Sequence, residues 1–115
     1  MGGVNMADIF ITGSARTAIG SFQGAFSTLS APELGGHAIQ AALAQSGIDA
    51  TAIDDVIMGC VLPAGLGQAP ARQAGFHGGL SNAIPATTVN KMCGSGMKAV
   101  MLGYDQLASG DVNSV

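Results

Sequence analysis

One cysteine in this chain stands where a thiol can act as a nucleophile. Cys93 lies within Val89-Asn90-Lys91-Met92-Cys93-Gly94-Ser95-Gly96-Met97. The β-branched run Thr87-Thr88-Val89 reads as the end of a strand. From Ser95 on, the apolar residues Met97, Val100, Met101, Tyr104 and Leu107 recur at helical spacing. The pattern places Cys93 at the first turn of a helix that follows a strand. First-turn backbone N–H groups have no intrahelical partner, and the helix dipole adds about half a positive charge there. Both favour thiolate, the attacking form of a cysteine. Gly94 and Gly96 leave room for a substrate to reach the sulfur and the amides beside it. Without that setting a free cysteine is more often a small core residue, and this is the reading for Cys60, which follows a hydrophobic strand.

The totals bound what such a turn can belong to. The 115 residues suffice for at most one ordinary domain. Hydrophobic residues make up 48% and charged residues 10%, with 18 glycines. The charged share is far below the ~25% of a typical soluble domain, as expected of a chain that is mostly interior. The formal net charge is −3, with no basic cluster, which argues against a nucleic-acid partner. No apolar run of about 18 residues is present to span a membrane, and the N-terminus lacks the plan of a signal peptide. Residues 1–7 read as a leader or a remnant of cloning, ahead of a partial domain at 8–115. Two cysteines without a CxxC pair support neither a zinc site nor a disulfide scaffold. A reducing, cytoplasmic setting follows as the expectation.

Positioning the cysteine falls to an alternating set of strands and helices. Residues 8–13, Asp-Ile-Phe-Ile-Thr-Gly, form an apolar run of strand length ending in glycine. After a loop comes Ser30-Ala31-Pro32-Glu33, a capping box with proline in the first turn, flanked by Leu29 and Leu34 as a hydrophobic staple. The helix it opens ends at Gly47. Residues 53–62 predict a second strand, Pro70 opens an Ala-rich helix to about Gly75, and Pro85 precedes the third strand. The helix after Cys93 is capped by Gly110. Residues 111–115 read as the start of a fourth strand, so the chain looks truncated. The fold class is α/β, β-α-β-α-β-α plus that beginning, the order of a parallel sheet with crossover helices.

The Cys93 segment closely resembles the active-site segment of the thiolases, the acetyl-CoA acetyltransferases and 3-ketoacyl-CoA thiolases. The likeness extends through Arg16-Thr17-Ala18-Ile19-Gly20, Asp54-Asp55-Val56-Ile57-Met58-Gly59, Gly67-Gln68 and Ala71-Arg72-Gln73, in family order and spacing. Ala69 departs from it, since asparagine is the more usual residue after Gly-Gln. The resemblance implies an incomplete N-terminal half of a thiolase-like fold. It also implies a reaction, the interconversion of two acetyl-CoA with acetoacetyl-CoA and CoA. Acetyl-CoA and CoA are then substrate and product, and no separate cofactor is implied. Position for position, Cys93 takes the role of nucleophile and carries the acyl group as a thioester, its own backbone N–H being one oxyanion donor. The family's histidine base, second cysteine and water-positioning segment belong to later sequence. Turnover is therefore not expected without the missing remainder.

His37 and His77 match no catalytic position of the family and read as structural. Lys91 and Lys98 read as surface lysines in preference to CoA-phosphate ligands. Arg72 and Gln68 read as structural braces, Asn90 as a side chain that holds the strand-to-helix turn, and Met92, Met97 and Met101 as core filler. By resemblance the partners are an acyl-CoA, a second copy of the chain meeting near Ala86–Val89, and the missing C-terminal part. A degradative 3-ketoacyl-CoA thiolase and a non-catalytic assembly fragment stand as the alternatives.

Overall fold

A computed structural model describes residues 7–115. Helix α1 (Ala31–Ser46) leads through a short 3-10 turn (Ala50–Ala52) to strand β1 (Val56–Gly59), helix α2 (Pro70–His77), strand β2 (Ala86–Val89) and helix α3 (Ser95–Ser109). The two strands run parallel, with Val56 opposite Ala86 and Gly59 opposite Val89. A parallel pair needs a crossover, and α2 supplies it.

Side-chain alternation along β1 sets the layers. Met58 faces the α1–α2 side, where its Cε and the Ala74 Cβ crowd Gly35. Gly59 faces the other way, against the start of α3. Helices thus cover both faces of the parallel pair. The core is small and built from Val56, Ala71, Ala74, Leu80 and Ala99. Polar ties bind the layers at their edges. The Ala71 N–H donates to Thr88 Oγ1 at 3.0 Å, fixing α2 on β2. Buried Asp55 accepts from Gln106 Nε2 at 2.8 Å, fixing α3 on β1.

Helix α1 is closed at both ends as its sequence predicts. The Glu33 N–H donates to Ser30 Oγ at 3.3 Å, and the Ser30 N–H donates to Glu33 Oε2 at 2.7 Å. That contact holds the Glu33 carboxyl below its ordinary range, the Ser30 backbone N–H being the main cause. Gly47 takes the left-handed C-cap at φ 69°. Helix α1 approaches α2 through Gly36, where a Cβ would stand 2.3 Å from the His77 Cβ.

The α/β class holds, but two expected strands do not form. Residues 8–13 are not paired, and Phe10 and Ile11 are 75% and 83% exposed. A strand requires a neighbouring backbone, and residues 8–13 pair with neither outer edge of the two-stranded sheet. The segment is tied instead where the Ser14 N–H donates to Gln45 Oε1 at 2.6 Å. Residues 111–115 likewise form no strand. Asp54 Oδ2 accepts from the Asn113 and Ser114 amides, and Val115 packs against Gly103 of α3. The leader reading of 1–7 falls almost wholly outside the described residues. The methionines also depart from expectation. Met92, in the turn before α3, is 69% exposed, and Met97 and Met101 are 73% and 52% exposed, because the face of α3 that those two share meets no other described element.

Candidate active site

Cys93 lies beyond the carboxyl end of β2, the end at which open α/β sheets bind their ligands, and it is exposed. It sits one step further from α3 than the spacing predicts. Gly94 is the N-cap and Ser95 the first helical residue, so Cys93 precedes the first turn. The cause is local. Met92 adopts φ 51°, a left-handed backbone that interrupts the helical run. For a residue with a Cβ this conformation costs about 1–2 kcal/mol.

Side-chain bonds hold the turn in that shape. Asn90 Oδ1 accepts from the Met92 N–H at 2.9 Å, while Asn90 Nδ2 donates to the Val61 carbonyl at 3.3 Å. The bracing expected of Asn90 is therefore present. Ser95, which the motif showed only as a small residue, does as much from the other side. Its hydroxyl accepts from the Lys91 N–H at 2.9 Å and donates to the Met92 carbonyl at 2.5 Å, and the residue is 5% exposed. Backbone bonds complete the turn, Gly94 N–H to the Lys91 carbonyl and Ser95 N–H to the Met92 carbonyl. Among the described residues the Cys93 amide has no hydrogen-bond acceptor.

Gly59 is the second residue that sequence reasoning passed over. A Cβ there would lie 2.4 Å from both the Gly96 nitrogen and the Ser95 carbonyl carbon. Only glycine lets the α3 terminus come down onto β1. The space around Gly96 is open, as expected, with nothing within 4 Å of a Cβ built there.

The other candidates lie elsewhere. His37 and His77 are exposed, and His77 closes α2 beside Gly36, on the α1–α2 side of the sheet. Arg72 braces the approach to β2, donating to the Asn82 and Ile84 carbonyls and lying 4.9 Å over the Phe76 ring. Gln68 contributes its carbonyl to Gln73 Nε2 at 2.7 Å. Lys91 is exposed and Lys98 half-buried. Cys60 is half-buried, its amide bonded to the Val89 carbonyl. A hollow of about 360 Å³ lined by Thr51, Ile53, Asp54, Ser81, Ala83, Ile84 and Pro85 opens at the amino end of the strands, away from Cys93. Among the described residues no group of three or more His, Cys, Asp or Glu side chains is placed to hold a metal, and no helix is long and apolar enough to cross a membrane.

Comparison with known proteins gives the family. Residues 9–115 match the family profile described as the thiolase N-terminal domain. The chain is 49% identical over 110 residues to an acetyl-CoA acetyltransferase of Pseudomonas aeruginosa, an alignment covering 96% of this chain and 28% of that protein. It is 48% identical over 112 residues to acetyl-CoA acetyltransferase 2 of Arabidopsis thaliana, covering 97% and 28%. It is 52% identical over 103 residues to the mitochondrial acetyl-CoA acetyltransferase B of Xenopus laevis, covering 90% and 24%. The chain thus spans roughly a quarter of the length of these curated relatives. With a domain profile that runs unbroken from the first apolar segment through the Cys93 turn, the chain belongs to the thiolase family.

Proposed function

We propose that this chain supplies the acyl-accepting part of an acetyl-CoA acetyltransferase, with Cys93 as nucleophile. The Cys93 thiol loses its proton to solvent, and the sulfur attacks the thioester carbon of acetyl-CoA. The carbonyl electron pair moves to oxygen, and the tetrahedral intermediate collapses as the bond to the CoA sulfur breaks. The CoA thiolate then takes up a proton. The product is acetyl-Cys93 plus CoA, with no other reactant required.

The observation that carries this reading is the pairing, on one braced turn, of an exposed Cys93 with a Cys93 amide that bonds to nothing among the described residues. A thiol and an amide donor side by side are what the intermediate needs, since its oxyanion forms next to the attacking sulfur. The condensing half of the reaction needs a base to form a carbanion. His37 and His77 do not supply it, both belonging to the α1–α2 side of the sheet. Condensation accordingly depends on the remainder of a thiolase, in the same polypeptide or another.

The far edge of β2 suits a second copy of the chain, because its backbone groups pair with no other described strand. A reducing compartment such as the cytoplasm suits a protein that works through a free thiol.

Incubation of the purified protein with acetyl-CoA, followed by peptide mass analysis, tests the proposal. The expected result is one acetyl group on Cys93, none on Cys60, and none in Cys93→Ser. A folded protein that stays unacetylated, or that labels equally at both cysteines, overturns it in favour of a non-catalytic assembly role.

A further inference from the structure

The Cys93 turn contains a second polar residue with an assignable task. Ser95 is buried, yet its hydroxyl spends both its bonds on the turn and none on the helix it begins. It accepts from the Lys91 N–H and donates to the Met92 carbonyl. The Met92 carbonyl also accepts the Ser95 N–H at 3.1 Å. Two donors of one buried residue therefore fix the direction of one carbonyl.

That carbonyl belongs to the same peptide plane as the Cys93 N–H. In a trans peptide the C=O and N–H point in opposite directions, and the chain has no cis bond among the described residues. Holding the Met92 carbonyl inward, on buried Ser95, turns the Cys93 N–H the opposite way, away from Ser95. That the amide meets no acceptor among the described residues is thus a consequence of where Ser95 holds its neighbour. A left-handed Met92 does not keep this orientation by itself, because rotation of the Met92–Cys93 peptide plane would relieve the strained backbone.

We infer that Ser95 is a positioning residue for acyl transfer, aiming the Cys93 amide at the oxygen of the incoming thioester. This rests on Cys93 being the acyl acceptor. Ser95 touches no reacting atom. Its effect passes through one peptide plane and concerns the oxyanion, not the sulfur.

The distinction can be measured. Alkylation of a thiol by iodoacetamide displaces iodide without forming an oxyanion, whereas acylation by acetyl-CoA passes through one. Both second-order rates at Cys93 are followed by peptide mass analysis in the purified protein and in Ser95→Ala, Ser95→Thr and Ser95→Val. Loss of a single oxyanion donor slows comparable reactions by roughly 100- to 1,000-fold, and misdirection of a donor that stays present costs less, on the order of tenfold. In Ser95→Ala, acetylation is expected to fall about tenfold while alkylation changes less than about twofold. Thr and Val add similar bulk, and only Thr keeps the hydroxyl. The ratio of acetylation to alkylation should stay higher in Ser95→Thr than in Ser95→Val, even if both variants are less stable.

A parallel fall of both rates, or equal ratios in the Thr and Val variants, would overturn the positioning role and leave Ser95 as a brace alone. A parent protein that alkylates at Cys93 but is never acetylated would instead overturn the nucleophile assignment, and this inference with it.

Discussion

Gly59 and Gly96 meet backbone to backbone across the β1–α3 contact, and a Cβ on Gly59 would stand 2.4 Å from the Gly96 nitrogen. This closeness sets the height of α3 over the sheet, and with it the height of the Cys93 turn that leads into the helix. The neighbours are backbone atoms, so no rotamer change relieves a clash. Gly59→Ala should therefore push the α3 terminus off β1 and cost about 1–3 kcal/mol, the usual range for overpacking. Urea unfolding should show a lower midpoint with an unchanged slope. A variant as stable as the parent would mean that the contact yields without cost.

Asn90 works on the same turn from the strand side. Asn90→Ala removes the acceptor of the Met92 N–H and the donor to the Val61 carbonyl together. Since Asn90 is exposed and water can replace part of the loss, the expected cost is about 0.5–1.5 kcal/mol. Asn90→Asp keeps the acceptor but turns a carboxylate oxygen toward the Val61 carbonyl. It should fall between the parent and Asn90→Ala in thermal unfolding at pH 7.

The capping box gives α1 an acid-sensitive end. Glu33 accepts the Ser30 N–H, which lowers its pKa in the folded chain. A carboxyl lowered on folding contributes stability that is fully present above its unfolded value, about 4.3 for glutamate. That contribution is lost as the pH falls through the folded value. Stability measured from pH 6 downward should therefore decline less steeply in Glu33→Gln than in the parent. At pH 7, Ser30→Ala should cost about 1 kcal/mol, the usual worth of an N-cap side chain. Identical pH slopes for parent and Glu33→Gln would contradict the assignment.

What the sequence revealed and what it hid divide along one physical line. Signals carried by residues close together in the chain were legible: the Ser30–Glu33 box, the glycine caps at 47 and 110, Pro70 opening α2, and Asn90 as a turn brace. Each depends on bonds spanning a few residues, so residue type and spacing suffice. Contacts between distant segments were not legible. Residues 8–13 have the composition of a strand, but strand formation depends on a partner elsewhere. The apolar spacing of Met97 and Met101 marks a helix face correctly without saying what lies against it. The 3-10 turn held by Asp49 carries no apolar periodicity and was passed over. At the site, the Cys-Gly-Ser-Gly letters located the exposed cysteine. The roles of Ser95 and Gly59 became visible only once Met92 proved left-handed and β1 proved to underlie α3.

Ala69, at the start of α2, combines a strained backbone with a missing cap. It is the N-cap of α2, it takes φ 46°, ψ 69°, and it makes no side-chain cap. Alanine is poorly suited on both counts. Its Cβ is strained in the left-handed region, and it has no oxygen to offer the first amides of the helix. Asparagine tolerates that region better than other residues with a Cβ. Ala69→Asn should therefore raise stability by about 1 kcal/mol, a thermal midpoint shift of roughly 4–8 °C for a chain of this size. Ala69→Gly separates the two causes, since it relieves the strain without supplying a cap. If Gly gains as much as Asn, strain is the whole effect, and if neither gains, the left-handed backbone at residue 69 carries no cost.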